Sequence, residues 1–171
     1  MRHKLELSIV LLYVSAALVV AYVFLGNIFP PYDSTQNPIN IDFKFGVGAR
    51  NELNTFNGTF TKDLVIDGTF TTRLILSQGE MTQIAQELAE TDFFNLPETF
   101  PRSTNRLVMP QSDYYIKVQK GTIVKEFSWN TNSEIDSSTD SRLEQFVSFL
   151  TNMIYEKPEY KMMPPATGAY L

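Results

Sequence analysis

Residues 43–52, FKFGVGARNE, place Gly46 and Gly48 at the end of an alternating apolar run, with Arg50 and Glu52 just beyond. Closely spaced glycines after a strand can open a phosphate-cradling loop, in which backbone N–H groups and a helix N-terminus meet the anion. The rest of that motif is missing. There is no third glycine, no GK[ST], and no capped helix before Asn57-Gly58. The glycines therefore predict a strand end with a bulge or tight bend. Arg50 and Glu52 stand as candidates for contact with a partner. A second stretch, residues 130–136, NTNSEID, sets Asn130, Asn132, Glu134 and Asp136 at alternate positions, like the early ligands of a calcium loop. Ile135 occupies the position that needs glycine, and Ser141 the position that needs a bidentate glutamate. The competing reading is a solvated loop whose Asp136, Ser137 and Ser138 supply the N-cap of a following helix, with Asp140 favouring its dipole. Trp129 closes the preceding strand. With Asn130 it is a candidate interaction residue, since tryptophan is enriched at binding hot spots; the alternative is a strand-end cap on the core.

Catalytic chemistry has few parts to draw on. The one histidine, His3, precedes a long apolar segment, and the chain has no cysteine. Beyond residue 30 there is no histidine base, imidazole ligand, thiolate or Ser-His triad. A Ser-Lys pair or two carboxylates remain, without a recognisable motif. The expectation is a non-enzyme with no cofactor and no metal. Asn57-Gly58-Thr59 matches a glycosylation sequon, which the hairpin turn there accounts for.

The elements that must position these residues follow from periodicity. Ile41, Phe43, Phe45 and Val47 alternate with polar residues, as in a half-buried strand. Asn57-Gly58 and Asp67-Gly68 are two-residue hairpin signals bracketing a strand on which Phe60, Lys62, Leu64 and Ile66 share a face. Phe70, Thr72, Leu74 and Leu76 alternate after it. Ser77 and Glu80 match a capping box, followed by an apolar helical stripe that should end near Thr91. Phe93, Phe94 and Leu96 are expected to plug the core. Residues 114–118 and 123–129 form a second hairpin around Lys120-Gly121, and Leu143, Phe146, Val147, Leu150 and Ile154 stripe a second helix that Pro158 stops. The order is β-β-β-α-β-β-α. The predicted fold is α+β, an antiparallel sheet of about five strands with two helices on one face, preceded by a transmembrane helix.

That helix is read from residues 7–25, which carry no charge. Nineteen residues at about 1.5 Å rise approach the ~30 Å hydrocarbon core. Small residues at Ser15-Ala16-Ala17 are followed by further apolar sequence, so a retained anchor is expected over a cleaved leader. A lipid on cysteine is excluded by composition. Arg2 and Lys4 precede the span and Asp33 follows it, which places the N-terminus in the cytoplasm and the remainder outside, on a single-pass plasma-membrane protein. The domains are a cytoplasmic N-terminus (1–6), the anchor (7–29), a spacer (30–40), an extracytoplasmic α+β domain (41–156) and a C-terminal tail (157–171). The chain has 14 basic and 19 acidic residues; without Arg2, Lys4 and Glu6 the counts are 12 and 18, a net charge of −6. Such a domain, taken as a whole, is unsuited to nucleic acid or to anionic lipid headgroups, since both need positive charge. The expected partners are the bilayer, through the N-terminal helix, and an extracytoplasmic protein. The tail carries Tyr160, Met162, Met163 and Tyr170 and is expected to fold back on the domain.

The stretches FGVGARNELNTFNGTFTKDL, LSQGEMTQIAQELAETDFFNLPETF, YYIKVQKGTIVKEFSW and PPATGAYL resemble small membrane-attached or lipoprotein-like proteins of Bacillus-type bacteria. This resemblance spans nearly all of the outer domain and implies a location but no activity. More loosely, residues 76–97 and 114–154 resemble emfourin-like inhibitors of thermolysin-type proteases, which share a glycine-bearing strand pair, a helix ending in DFF-L-P, a hairpin and a closing helix. The shared positions are mostly core, and no inhibitory residue carries over. The expected function is that of a protein-interaction module. Protease inhibition, a calcium or small-ligand sensor and a carboxylate-based hydrolase are the alternatives.

Overall fold

The computed structural model describes residues 38–104 and 107–170. The expected cytoplasmic N-terminus, anchor and most of the spacer lie outside these residues. Among the described residues no helix is long and apolar enough to cross a membrane.

The architecture is α+β. Six strands form one antiparallel sheet: β1 (Ile39–Phe45), β2 (Asn51–Asn54), β3 (Thr59–Asp63), β4 (Thr69–Arg73), β5 (Asp113–Lys120) and β6 (Ile123–Asn130). Their spatial order is β4-β3-β2-β1-β5-β6. Helix α1 (Gln78–Glu90) links β4 to β5, and α2 (Ser137–Glu156) follows β6, with a one-turn α3 (Pro158–Lys161) after it. The sixth strand corrects the expected five. Strand β2 has four residues, of which only Leu53 is buried, too short for alternation to register. It lies between the Gly46 turn and Asn57-Gly58, so that β1 turns directly into a meander.

Alternation does the rest. Along β1 the burial pattern is strictly periodic, with Ile39, Ile41, Phe43 and Phe45 inward. The register aligns Phe43 with Leu53 and Ile116, Leu53 with Phe60, and Ile116 with Phe127, which makes one continuous apolar face. From α1 come Ile84 and Leu88, and from α2 Leu143, Phe146, Leu150 and Ile154, all buried. Phe93 joins the layers, its ring 5.2 Å from Phe127 and 6.3 Å from Phe146. Leu96 is also buried, while Phe94 is half-buried. Lys125 sits at an inward position opposite Val118 and donates to the carbonyls of Phe94 and Leu96, groups the 3₁₀ turn Phe93–Asn95 leaves unpaired.

Local signals set the helix ends. Ser77 and Glu80 form the expected reciprocal capping box, with Thr91 as C-cap. Asp136 caps α2 by accepting from the N–H groups of Ser138 and Thr139. The two helices are tied antiparallel at both ends: Arg142 donates to Thr91 O at 3.1 Å, and Lys157 meets Glu80 at 2.7 Å. Pro158 ends α2 and opens α3, where a missing N–H costs nothing. The Lys120-Gly121 turn has its positive φ at Gly121, as a type II′ turn requires.

Two expectations need correction. Asn57-Gly58 and Asp67-Gly68 lie in turns, but the paired residues Asn54↔Thr59 and Asp63↔Thr69 make loops longer than two residues. Strand β3 therefore stops at Asp63. Val65 takes φ 64° and Ile66 emerges 76% exposed instead of facing the core. The reason lies in the tail, which folds back against this loop as expected. Val65 bridges Thr167, and Thr167 N–H donates to Leu64 O at 3.1 Å. Met163 is buried, and Lys62 reaches Pro164 O at 2.8 Å.

Candidate functional site

Gly46 ends β1 at φ 93°, and residues 47–49 make a 3₁₀ turn with Gly48 and Ala49 also at positive φ. A Cβ on Gly46 would stand 2.9 Å from Asn51 Nδ2, so both space and backbone conformation call for glycine. The turn is locked to β5. Gly46 O accepts from Asp113 N–H at 2.9 Å, and Gly48 N–H donates to Asp113 Oδ2 at 3.1 Å. The tight bend predicted for this stretch is what forms.

Arg50 then points to the tail. Its Nη1 donates to Tyr170 Oη at 2.8 Å and lies 3.3 Å from Asp63 Oδ1. Tyr170 Oη donates to Asp63 Oδ2 at 2.6 Å, and that bond is the main reason its hydroxyl titrates above the usual tyrosine range. Arg50 is thereby occupied within the chain. Glu52 lies on the sheet face opposite the helices, accepting from Asn54 Nδ2 at 3.1 Å and facing Lys44 at 3.9 Å.

The residues of the calcium-like stretch are spent on the loop itself. Asn130 Oδ1 accepts from Asn132 N–H, and Asn130 N–H donates to Ser133 Oγ, both at 2.9 Å. Asn132 is fully buried and bonds Val108 and Gln111. Glu134 is exposed and contributes its N–H to Pro101 O at 2.7 Å. Hydrogen bonds from Thr139, then Ser138, hold the Asp136 carboxyl down at about 2. Among the described residues no group of three or more His, Asp or Glu is placed to share a metal ion.

Trp129 is buried with 7% exposure and stacks on Tyr114 at 5.0 Å. This pair forms the floor of a groove where the two loops converge. Tyr114, Trp129, Asn130 and Ser133 are shared by two adjoining depressions. One, about 230 Å³, runs toward Ala49, Phe100 and Asp113. The other, about 280 Å³, runs toward Asp140, Glu144 and Ser148 on α2. Residues 101–103 line up beside residues 132–134 through the Arg102↔Ser133 bridge and so bring Phe100 to the rim. The β1–β2 turn and the β6–α2 loop, far apart in sequence, thus meet at the smaller depression through Ala49, Asn130 and Ser133, while Asp140 and Glu144 line the other.

Two of the groove's members, Asp140 and Glu144, belong to no recognisable site motif. Their signal is their i, i+4 spacing with Ser148 on a helix, which aligns them along one face beside Val147. Neither carboxylate has an ion-pair partner among the described residues. An aromatic floor with unpaired carboxylates on one wall suits a cationic side chain with an apolar stem, such as lysine or arginine. Comparison with protein-family models finds no match, and comparison with curated protein sequences finds none.

Proposed function

We propose that this chain is a membrane-anchored extracytoplasmic interaction module whose groove receives a basic side chain of a protein partner. The observation that carries the reading is the stacked pair Trp129 and Tyr114, shared by two adjoining depressions, with Asp140 and Glu144 unpaired on the wall of the larger. Support comes also from the net charge of −5, which favours encounter with a basic partner. The groove lies at the Gly46 end of β1, about 20 Å from Ile39 at roughly 3.3 Å per residue.

The test is titration of the full chain in detergent with lysine- and arginine-bearing peptides and with acidic counterparts, read by Trp129 fluorescence. Binding restricted to the basic set, weakened by salt and by Glu144→Gln, supports the proposal. Equal binding of acidic peptides, or no loss in Glu144→Gln, overturns it. An emfourin-like inhibitor is one subclass of this module, and inhibition of a thermolysin-type protease would identify it.

A second reading rests on Asp140 and Glu144 sharing one groove. At i, i+4 their Cβ atoms lie about 5–6 Å apart on one helix face, and carboxylate-based hydrolysis uses two carboxyl groups in one site. Turnover of a glycoside panel that Asp140→Asn and Glu144→Gln each abolish would favour it over binding.

A further inference from the structure

The sheet end opposite the groove has a different chemistry. Pro38 lies there beside the β5–β6 turn, with Gly121 N–H donating to Pro38 O at 3.2 Å. The β2–β3 loop reaches the same end, where Thr55 Oγ1 accepts from Ile41 N–H at 2.7 Å. The exit of β4 joins it through the bond from Leu74 N–H to Gly58 O at 2.9 Å. Six strands at about 4.8 Å spacing make this rim roughly 24 Å long.

Along it stand four exposed apolar side chains: Phe56 (42%), Ile75 (53%), Ile123 (60%) and Val124 (51%). Singly exposed apolar residues are ordinary; four along one rim are less so. Residues 54–59, 73–77 and 120–125 contain no acid, although the domain is acidic and Asp42 of β1 lies opposite Asn54. Lys120 and Arg73 are exposed and have no ion-pair partner among the described residues. Of the carboxylates at the helix ends returning to this side, Glu80 and Glu156 pair with Lys157 and Lys161, each at 2.7 Å, and Glu159 on α3 has no ion pair among the described residues.

Chain length adds a second argument, resting on the anchor reading above. If residues 7–29 span a bilayer, the eight residues 30–37 extend at most about 28 Å. Pro38, and the rim beside it, then stay within that reach of the lipid surface. We propose that this rim docks on an anionic membrane surface, with Lys120 and Arg73 meeting headgroups and Phe56, Ile75 and Ile123 entering the interfacial layer. Exposed apolar side chains combined with cations suit that layer, where shallow burial and attraction to anionic lipid act together.

The absence of native cysteine allows a direct test. The full chain carrying Ile123→Cys, Phe56→Cys or, as control, Leu107→Cys is labelled with an environment-sensitive fluorophore. It is then placed in vesicles of phosphatidylcholine with phosphatidylglycerol containing nitroxide lipids. Labels 5–10 Å into the headgroup and acyl boundary should lose at least about half their emission, while the control at position 107 does not. The loss should shrink in pure phosphatidylcholine. Carbonate extraction separates this proposal from the anchor reading. Retention with quenching supports both. Retention without quenching overturns the docking alone. Quenching of a chain that carbonate releases upholds docking and refutes the anchor, and release without quenching overturns both. Equal quenching in pure phosphatidylcholine overturns the assignment to anionic lipid.

Discussion

Asn132 offers a sharp contrast between a ligand role and a structural one. Its side chain is completely buried and used on both sides. Oδ1 accepts from Val108 N–H at 2.6 Å, and Nδ2 donates to Val108 O and to Gln111 Oε1, both at 3.1 Å. In a calcium loop, Asn132→Asp would add charge and strengthen binding. Here it keeps the shape and one acceptor but replaces two donors with an oxygen facing two oxygens. Each lost neutral bond is worth about 1 kcal/mol, and an uncompensated buried charge about 3–5 kcal/mol. The charge figure already includes the loss of partners, so the expected cost is about 3–5 kcal/mol. For a domain of this size, at roughly 3–5 °C per kcal/mol, Tm should fall by about 10–20 °C. Asn132→Ala should cost less, about 1–3 kcal/mol, because the Val108 groups sit on an exposed loop and can rehydrate. The sign with pH follows from linkage. The introduced carboxyl would have a folded pKa above its unfolded value, so the folded state binds the proton more tightly. The penalty is complete above the folded pKa and shrinks as pH falls through it, when the neutral acid again donates one bond. Thermal unfolding of the full chain by near-UV circular dichroism, at pH 7 and at about pH 4, with calcium or with EDTA, reads all of this. An Asn132→Asp protein as stable as wild type in EDTA, or raised in Tm by calcium, would refute the structural assignment.

Two further outcomes are expected. Gly168 has φ 78°, and a Cβ there would stand 2.5 Å from Ile66 Cδ1. Gly168→Ala should therefore cost about 1–3 kcal/mol in backbone strain alone and release the tail, seen as faster hydrogen exchange over residues 163–170 with the sheet unchanged. Protection equal to wild type would show that the tail does not depend on this closure. Asp42 Oδ1 is buried on the outer sheet face without a hydrogen-bond partner, and burial raises its pKa despite the neighbouring Lys44. A raised folded pKa means that stability falls as pH rises from the unfolded value of 3.8 through the folded one. Asp42→Asn should remove that fall and be equal to or more stable than wild type at neutral pH in a denaturant titration. A variant clearly less stable at neutral pH would show that attraction to Lys44 outweighs desolvation.

The folded-back tail changes the reading of two conspicuous stretches together. Residues around Gly46 and the terminal PPATGAYL meet through Arg50, Asp63 and Tyr170. Arg50 was open to a partner when read alone; the partner it has is the end of its own chain. The glycine turn still serves the groove, since Ala49 lines one wall.

What could be read from sequence is what acts over a few residues. Ser77 with Glu80, Asp136 ahead of Ser138 and Thr139, the Lys120-Gly121 turn and the apolar stripes of α1 and α2 depend on spacings of two to four, and each forms as read. The α+β class followed from their order. The anchor proposed for residues 7–29 rests on sequence alone, a run of uncharged residues and the basic residues before it, and lies outside the described residues. Pairing across long separations was decided only by tertiary structure. Strand β1 pairs with both β2 and β5, and β5 begins beyond residue 110. That central position brings Asp113 to Gly48 and Trp129 to within the groove shared with Ala49. Asn132 and Arg50 carry polar groups able to serve a metal, a ligand or the chain itself, and no local pattern distinguishes these uses. The choice was made by burial: once Asn132 is excluded from water and Asp63 nearly so, their polar atoms must find partners inside the fold, and Val108, Gln111, Arg50 and Tyr170 are the ones the topology brings within reach.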